Sequence, residues 1–223
     1  MIPKTLHYVW LGGKDKPRCV QKCLSSWRKQ APDFAVKEWN ETNFPLREYP
    51  FAEAACKAGN FAFASDVVRA AVLLDEGGIY LDTDVELLQN PAGFLDCRAF
   101  AGFEAGNFVG TAVLGTQAGF PLLKAYLSFY NGIDFQSHRD TNVVIITQLL
   151  TEIGLCRDDS RQTVQGMEIW PQEYFSPFDY RTGRTMLTDN TVAIHHYEGT
   201  WLPRHRRVLH QAKMLLGKAV KLP

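Results

Sequence analysis

Gly77-Gly78-Ile79-Tyr80-Leu81-Asp82-Thr83-Asp84-Val85-Glu86 is the stretch on which the reading of this 223-residue chain turns. Ile79 to Leu81 is an apolar run of the length a short buried strand takes. The glycines before it stop a helix, because glycine enters the left-handed conformation beyond a helix end at little steric cost. That helix covers 61–75, where Val67, Val68, Ala71 and Leu74 recur at helical spacing. On an extended backbone side chains alternate, so Asp82 and Asp84 are expected on one face, with Thr83 turned away. Two carboxylates in one small volume repel, and a divalent cation between them leaves both ionised. Oxygen ligands favour Mg2+ or Mn2+ over zinc or copper. An isolated Asp-x-Asp is more often a solvated acidic turn, so the neighbours must decide.

Working outward, 5–11 alternates and is rich in aromatic and branched residues before breaking at Gly12-Gly13, as a first strand entering a loop does. Val20, Cys23, Leu24 and Trp27 give 18–30 a helical period, and Pro32-Asp33 separates it from a second strand at 35–39. This strand, helix, strand opening predicts an α/β domain with a mostly parallel, Rossmann-like central sheet flanked by helices. Ligands of such sheets bind beyond the carboxyl ends of the strands. Further strands are expected at 99–104, 109–114, 167–170 and 192–197, and helices at 52–57, 122–130 and 143–153. Asp66 and Arg69, three residues apart, share a face of the helix that feeds the acidic stretch. As an ordinary intrahelical pair they contribute about 0.2–0.5 kcal/mol; beside a metal-bound diphosphate, the guanidinium fork would engage phosphate and sugar oxygens. Trp10 stands at the end of the first strand, where it serves either as core or as a stacking surface for a base.

The charge balance narrows the partners. Formal net charge is zero and 46% of residues are hydrophobic, which suits one substantial core and argues against a nucleic-acid surface. The evenness hides an asymmetry: 204–223 holds Arg204, Arg206, Arg207, Lys213, Lys218 and Lys221 with no acid, leaving 18 basic against 24 acidic residues elsewhere. Val208, Leu209, Ala212, Leu215, Leu216, Ala219 and Val220 form a helical stripe among these bases. The expected organisation is a domain over 1–203 followed by a basic amphipathic helix over 204–223, either docked on the domain or peripheral on the anionic inner face of the plasma membrane. The start lacks a signal-peptide pattern and no stretch approaches the roughly 20 apolar residues of a span, which gives a cytoplasmic expectation. Cys19, Cys23, Cys56, Cys97 and Cys156 include no Cys-x-x-Cys pair and read as separate reduced thiols.

Ile2-Pro3-Lys4-Thr5-Leu6-His7-Tyr8-Val9-Trp10-Leu11-Gly12-Gly13, Ser65-Asp66-Val67-Val68-Arg69 and the stretch from Gly77 to Asp84 together resemble bacterial sugar-transferring proteins of glycosyltransferase family 32. The likeness continues through Tyr174-Phe175-Ser176-Pro177 and His195-His196-Tyr197-Glu198-Gly199-Thr200-Trp201. Capsular polysaccharide enzymes, fungal mannosyltransferases and, more distantly, clostridial glucosylating toxins are similar. The resemblance implies a GT-A fold, a UDP- or GDP-sugar donor, Mn2+ or Mg2+, a glycan or lipid-linked acceptor, and retention at the anomeric carbon. By position, Trp10 resembles the tryptophan that stacks on the base, Asp66 and Arg69 resemble donor-sugar contacts, and Tyr80 resembles a donor-pocket tyrosine. Asp82 resembles the acid that touches ribose and sugar and reaches the metal through water, and Asp84 the direct ligand. His196 stands where the toxins carry a metal-binding glutamate, and Trp201 resembles the tryptophan that contacts the terminal phosphate. Asn142 stands where the family tends to carry Gly-Pro, and is counted with the substrate contacts. Strand alternation sends His195 and His196 to opposite faces, so one of them reaches the cation, with His196 favoured.

Two rivals are weaker. A haloacid-dehalogenase-type phosphatase also places Asp-x-Asp after an apolar strand, but near the first strand, and Asp158-Asp159 lacks the strand its later acidic pair requires. A non-catalytic nucleotide-sugar-binding module would use the same cation merely to orient its ligand.

Overall fold

The computed structural model describes residues 1–138, 140–179 and 181–198. Trp201 and the expected helix over 204–223 therefore lie outside the described residues. In chain order the elements are β1 (Thr5–Val9), α1 (Arg18–Gln30), β2 (Ala35–Trp39), α2 (Pro50–Lys57), α3 (Phe61–Glu76), β3 (Gly78–Leu81), β4 (Val85–Leu87), β5 (Ala99–Glu104), β6 (Phe108–Val109), β7 (Val113–Thr116), α4 (Pro121–Asn131), α5 (Asn142–Glu152), β8 (Gln162–Val164), β9 (Met167–Trp170), β10 (Phe178–Asp179), β11 (Arg184–Thr185) and β12 (Ala193–His195).

The central sheet has the order β2-β1-β3-β7-β5-β9-β8. Strands β2, β1, β3, β5 and β9 share one direction, while β7 and β8 oppose it. The mostly parallel expectation holds for strand direction, yet β7, inserted between β3 and β5, makes the sheet mixed. The single strand expected at 109–114 divides into β6 and β7 because the intervening backbone is used elsewhere. Gly110 N donates to Gly102 O at 2.9 Å, and Ala112 O accepts from Asp82 N at 2.8 Å.

Alternation along the strands feeds two apolar layers. Tyr80 from β3 and Ala99, Ala101 and Phe103 from β5 join the layer built by α2, α3, α4 and α5. Ile79, Leu81 and Phe100 join the opposite layer with Val20, Leu24 and Trp27 of α1. A small antiparallel pair, β4 with β12, closes that second layer, and sets His195 opposite Val85. Trp27 Nε1 donates to Val85 O at 2.8 Å, which fixes β4 on α1. Gly77 ends α3 with φ 66°; a Cβ there would stand 2.7 Å from Ala118 N and 2.9 Å from Thr116 O, so the turn into β3 demands glycine. Among the described residues no helix is long and apolar enough to cross a membrane. All five cysteines are free, as expected.

Candidate active site

Because β1, β3, β5 and β9 run in one direction, their carboxyl ends gather on one edge of the sheet. Trp10 follows β1, Asp82 follows β3, and Glu104 closes β5. The acidic stretch itself is a turn and not the extended backbone expected: Val85 N donates to Asp82 O at 2.9 Å. The two carboxylates nevertheless converge. Ligand atoms of Asp82, Asp84 and His195 all lie within 4.8 Å of one another. His195 Nε2 stands 3.4 Å from Asp84 Oδ1, and Glu198 N donates to Asp84 Oδ2 at 2.9 Å.

His195, and not the favoured His196, therefore joins the aspartates. His196 N donates to Asp84 O, but its ring turns to Glu86, with Nε2 2.9 Å from Oε2. Alternation had to separate the two rings; the register of β12 on β4 decides which one meets the cluster. Burial opposes ionisation of Asp84, but the charge and hydrogen bond of His195 and the Glu198 N–H outweigh it and hold the acid down to about 2. Burial likewise opposes protonation of His195, and the Asp84 carboxylate overcomes it, raising the imidazole to about 9. Among the described residues the other ring nitrogen, His195 Nδ1, is buried without a hydrogen-bond partner. Two carboxylates and an imidazole, once the ring gives up the proton that Asp84 favours, form a donor set that fits a divalent cation.

Asp82 also faces α3. Arg69, almost fully buried, reaches Asp66 Oδ1 at 2.9 Å and Asp82 at 3.2 Å, so the helix pair is no solvated surface bridge. It further donates to Thr111 O at 3.0 Å and Oγ1 at 2.9 Å, and its guanidinium carbon lies 4.6 Å from the centre of the Tyr80 ring. Tyr80 OH donates to Asp82 Oδ1 at 2.8 Å, so Tyr80 sets the carboxylate's orientation from within the core. Asn142, at the start of α5, donates to Asp66 Oδ1 at 2.5 Å. Burial pushes Asp66 up to about 7 despite the opposing charge of Arg69. The sites assigned to Asp66, Arg69, Tyr80, Asp82, Asp84 and Asn142 thus form one connected network. Trp10 lies apart from it, half-buried, with Nε1 donating to Lys14 O at 2.7 Å and the Lys16 ammonium 5.6 Å from its ring centre.

Residues 17–100, which contain Asp82, Thr83 and Asp84, match the model of the glycosyltransferase sugar-binding region containing the DXD motif. The chain thus carries the DXD sugar-binding region of glycosyltransferases. Solved glycosyltransferases share its fold. PaToxG glycosyltransferase is 18% identical, with a TM-score of 0.56 over 68% of this chain and 69% of that one. Mouse xyloside xylosyltransferase 1 is 10% identical, with a TM-score of 0.55 over 89% and 99%. Galactosyltransferase LgtC, solved with donor and acceptor sugar analogues, is 12% identical, with a TM-score of 0.50 over 98% and 97%. No curated protein sequence matches the chain. The GT-A-like architecture expected of a DXD glycosyltransferase is the one observed, a mixed sheet between helical layers. Thr111 and Glu104 are the members of this edge that the sequence reading passed over.

Proposed function

We propose that the protein is a DXD glycosyltransferase that moves a hexose from a UDP- or GDP-sugar to a hydroxyl of a glycan or lipid-linked acceptor, with retention at the anomeric carbon, in surface polysaccharide synthesis. The observation that carries this is the convergence of Asp82, Asp84 and His195 at the carboxyl end of β3, beside a buried Arg69. Asp84 and His195 would hold Mn2+ or Mg2+, with Asp82 at its margin. Such an ion, when bound, supplies Lewis-acid stabilisation of the negative charge that develops on the departing diphosphate. Arg69 adds fixed donors directed at the same region, pre-aligned by Asp66 and Thr111. Asp66 and Asn142 offer a paired acceptor and donor to sugar hydroxyls, and Trp10 offers an aromatic face to the base. LgtC, of like fold, was solved with donor and acceptor sugar analogues, which supports a sugar at this edge.

The test incubates the protein with UDP-glucose, UDP-galactose and GDP-mannose, with Mn2+ or with EDTA, and measures release of the nucleoside diphosphate. Metal-dependent release is expected from at least one donor, falling about 100-fold or more in Asp84→Asn at nearly unchanged thermal stability. His195→Gln should weaken Mn2+ dependence about 10-fold or more, while His196→Gln should not. Release that ignores EDTA, or wild-type turnover in Asp84→Asn, would overturn the reading.

A further inference from the structure

One acid on the same edge has no task in this scheme. Glu104 closes β5 and is only 6% exposed, yet its carboxylate makes no hydrogen bond or ion pair among the described residues. Its oxygens are not among the fully buried atoms without a partner, so they keep a narrow access to the cleft and are only partly compensated for the loss of water. A Cβ on Gly110 would stand 2.9 Å from Glu104 Oε2, so the carboxylate packs against the glycine and would have to shift to admit a larger residue. Gly110 precedes Thr111, the residue that anchors Arg69.

The face on which Glu104 lies is also informative. Alternation from Phe100 through Gly102 carries its side chain to the layer shared with β12, and its charge is felt by His195 and Asp82. Asp66, Arg69 and Asn142 approach Asp82 from the α3 and α5 side. The groups suited to the donor thus occupy one side of Asp82, and Glu104 stands on the other. Glu104 is not among the three residues whose ligand atoms converge. Burial pushes its carboxyl up to about 7, against the nearby His195 and Arg69.

We infer that Glu104 accepts the hydrogen bond of the hydroxyl that enters the site, orienting the acceptor sugar, with water as its smallest occupant. This rests on the proposed transfer reaction. The mismatch it describes is that of a functional group kept at a cost in stability.

The experiment uses full-length wild type, Glu104→Gln and Gly110→Ala, with the donor of the panel above that the wild type hydrolyses and with its nucleoside diphosphate plus Mn2+. Glu104→Gln is expected to melt no lower than wild type and to bind the nucleoside diphosphate within about twofold, since neither depends on the carboxylate. Its donor hydrolysis should fall about 10- to 100-fold, the factor a hydrogen bond to a charged group supplies. Gly110→Ala, which displaces the carboxylate without removing it, should lose activity in the same direction while remaining folded. Unchanged hydrolysis in Glu104→Gln overturns the inference, and so does a fall in melting temperature that accompanies the loss of activity. If wild type binds no nucleoside diphosphate and hydrolyses no donor, the proposed reaction fails first and the role of Glu104 goes with it.

Discussion

Arg69 shows how much one buried side chain can be asked to do. Its guanidinium joins α3, the turn after β3 and the segment between β6 and β7 through Asp66, Asp82 and Thr111, of which Asp82 is partly open to water. Removing one partner of such a pair strands the other, whereas removing both leaves no orphan. Arg69→Met is therefore expected to destabilise by about 3–5 kcal/mol in urea unfolding, and Asp66→Asn combined with Arg69→Met to recover most of that loss while staying inactive. A double variant as unstable as the single one would contradict the pairing. Much of this residue-level picture was legible in sequence, because the i,i+3 spacing of Asp66 and Arg69 and the short path to Asp82 leave few alternatives. The choice between His195 and His196 was not. Alternation separates two adjacent side chains, but only the register of β12 against β4 states which one meets Asp84. Glu104 carried a faint signal, an acid closing an otherwise apolar strand, which gains meaning only once β5 is known to run parallel to β3.

At the scale of elements, the helix-to-strand joint at Gly77 positions everything that follows it. Its φ of 66° and the close approach of Ala118 N and Thr116 O leave no room for a Cβ. Gly77→Ala should destabilise by about 2 kcal/mol or more, read as a lower urea midpoint at unchanged slope, and on the proposed function should also weaken divalent-cation binding, because β3 delivers Asp82 and Asp84. A variant with wild-type midpoint would mean that the joint relaxes freely. The long periodic elements and the glycine stop were visible in the sequence, since they reflect local backbone preferences. Strand β12 was expected, though longer, at 192–197; β4 was not, being three residues long and defined by pairing with a segment more than a hundred residues away. The turn at 82–84 escaped for a related reason: two carboxylates can be brought together by alternation or by a bend, and the spacing alone suits both.

At the scale of the molecule, the shared direction of β1, β3, β5 and β9 collects the chemistry on one edge, and the opposite end of the same strands holds the fold together. His7, fully buried at the middle of β1, reaches back toward that end, binding Gly77 O at 2.8 Å through Nε2 and accepting from Trp39 Nε1 at 3.0 Å through Nδ1. It thereby ties β1 to β2 and to the end of α3. This arrangement requires the neutral ring, because a proton on Nδ1 would confront the indole N–H. Burial accordingly lowers the imidazole pKa below its ordinary 6.5; the Gly77 carbonyl and Glu76 oppose the shift, and Lys37 adds to it. In the unfolded chain the ring titrates near 6.5, so below that pH the unfolded state binds more protons than the folded one. The His7 contribution to stability is thus complete above about pH 6.5 and is lost as pH falls toward the folded value, at up to about 1.4 kcal/mol per pH unit. Urea unfolding at about pH 7.5 and about pH 5 should show the wild type losing more stability on acidification than His7→Gln, which carries a constant offset but no such proton uptake. Parallel losses in the two proteins would mean that the ring is already free to ionise inside the fold.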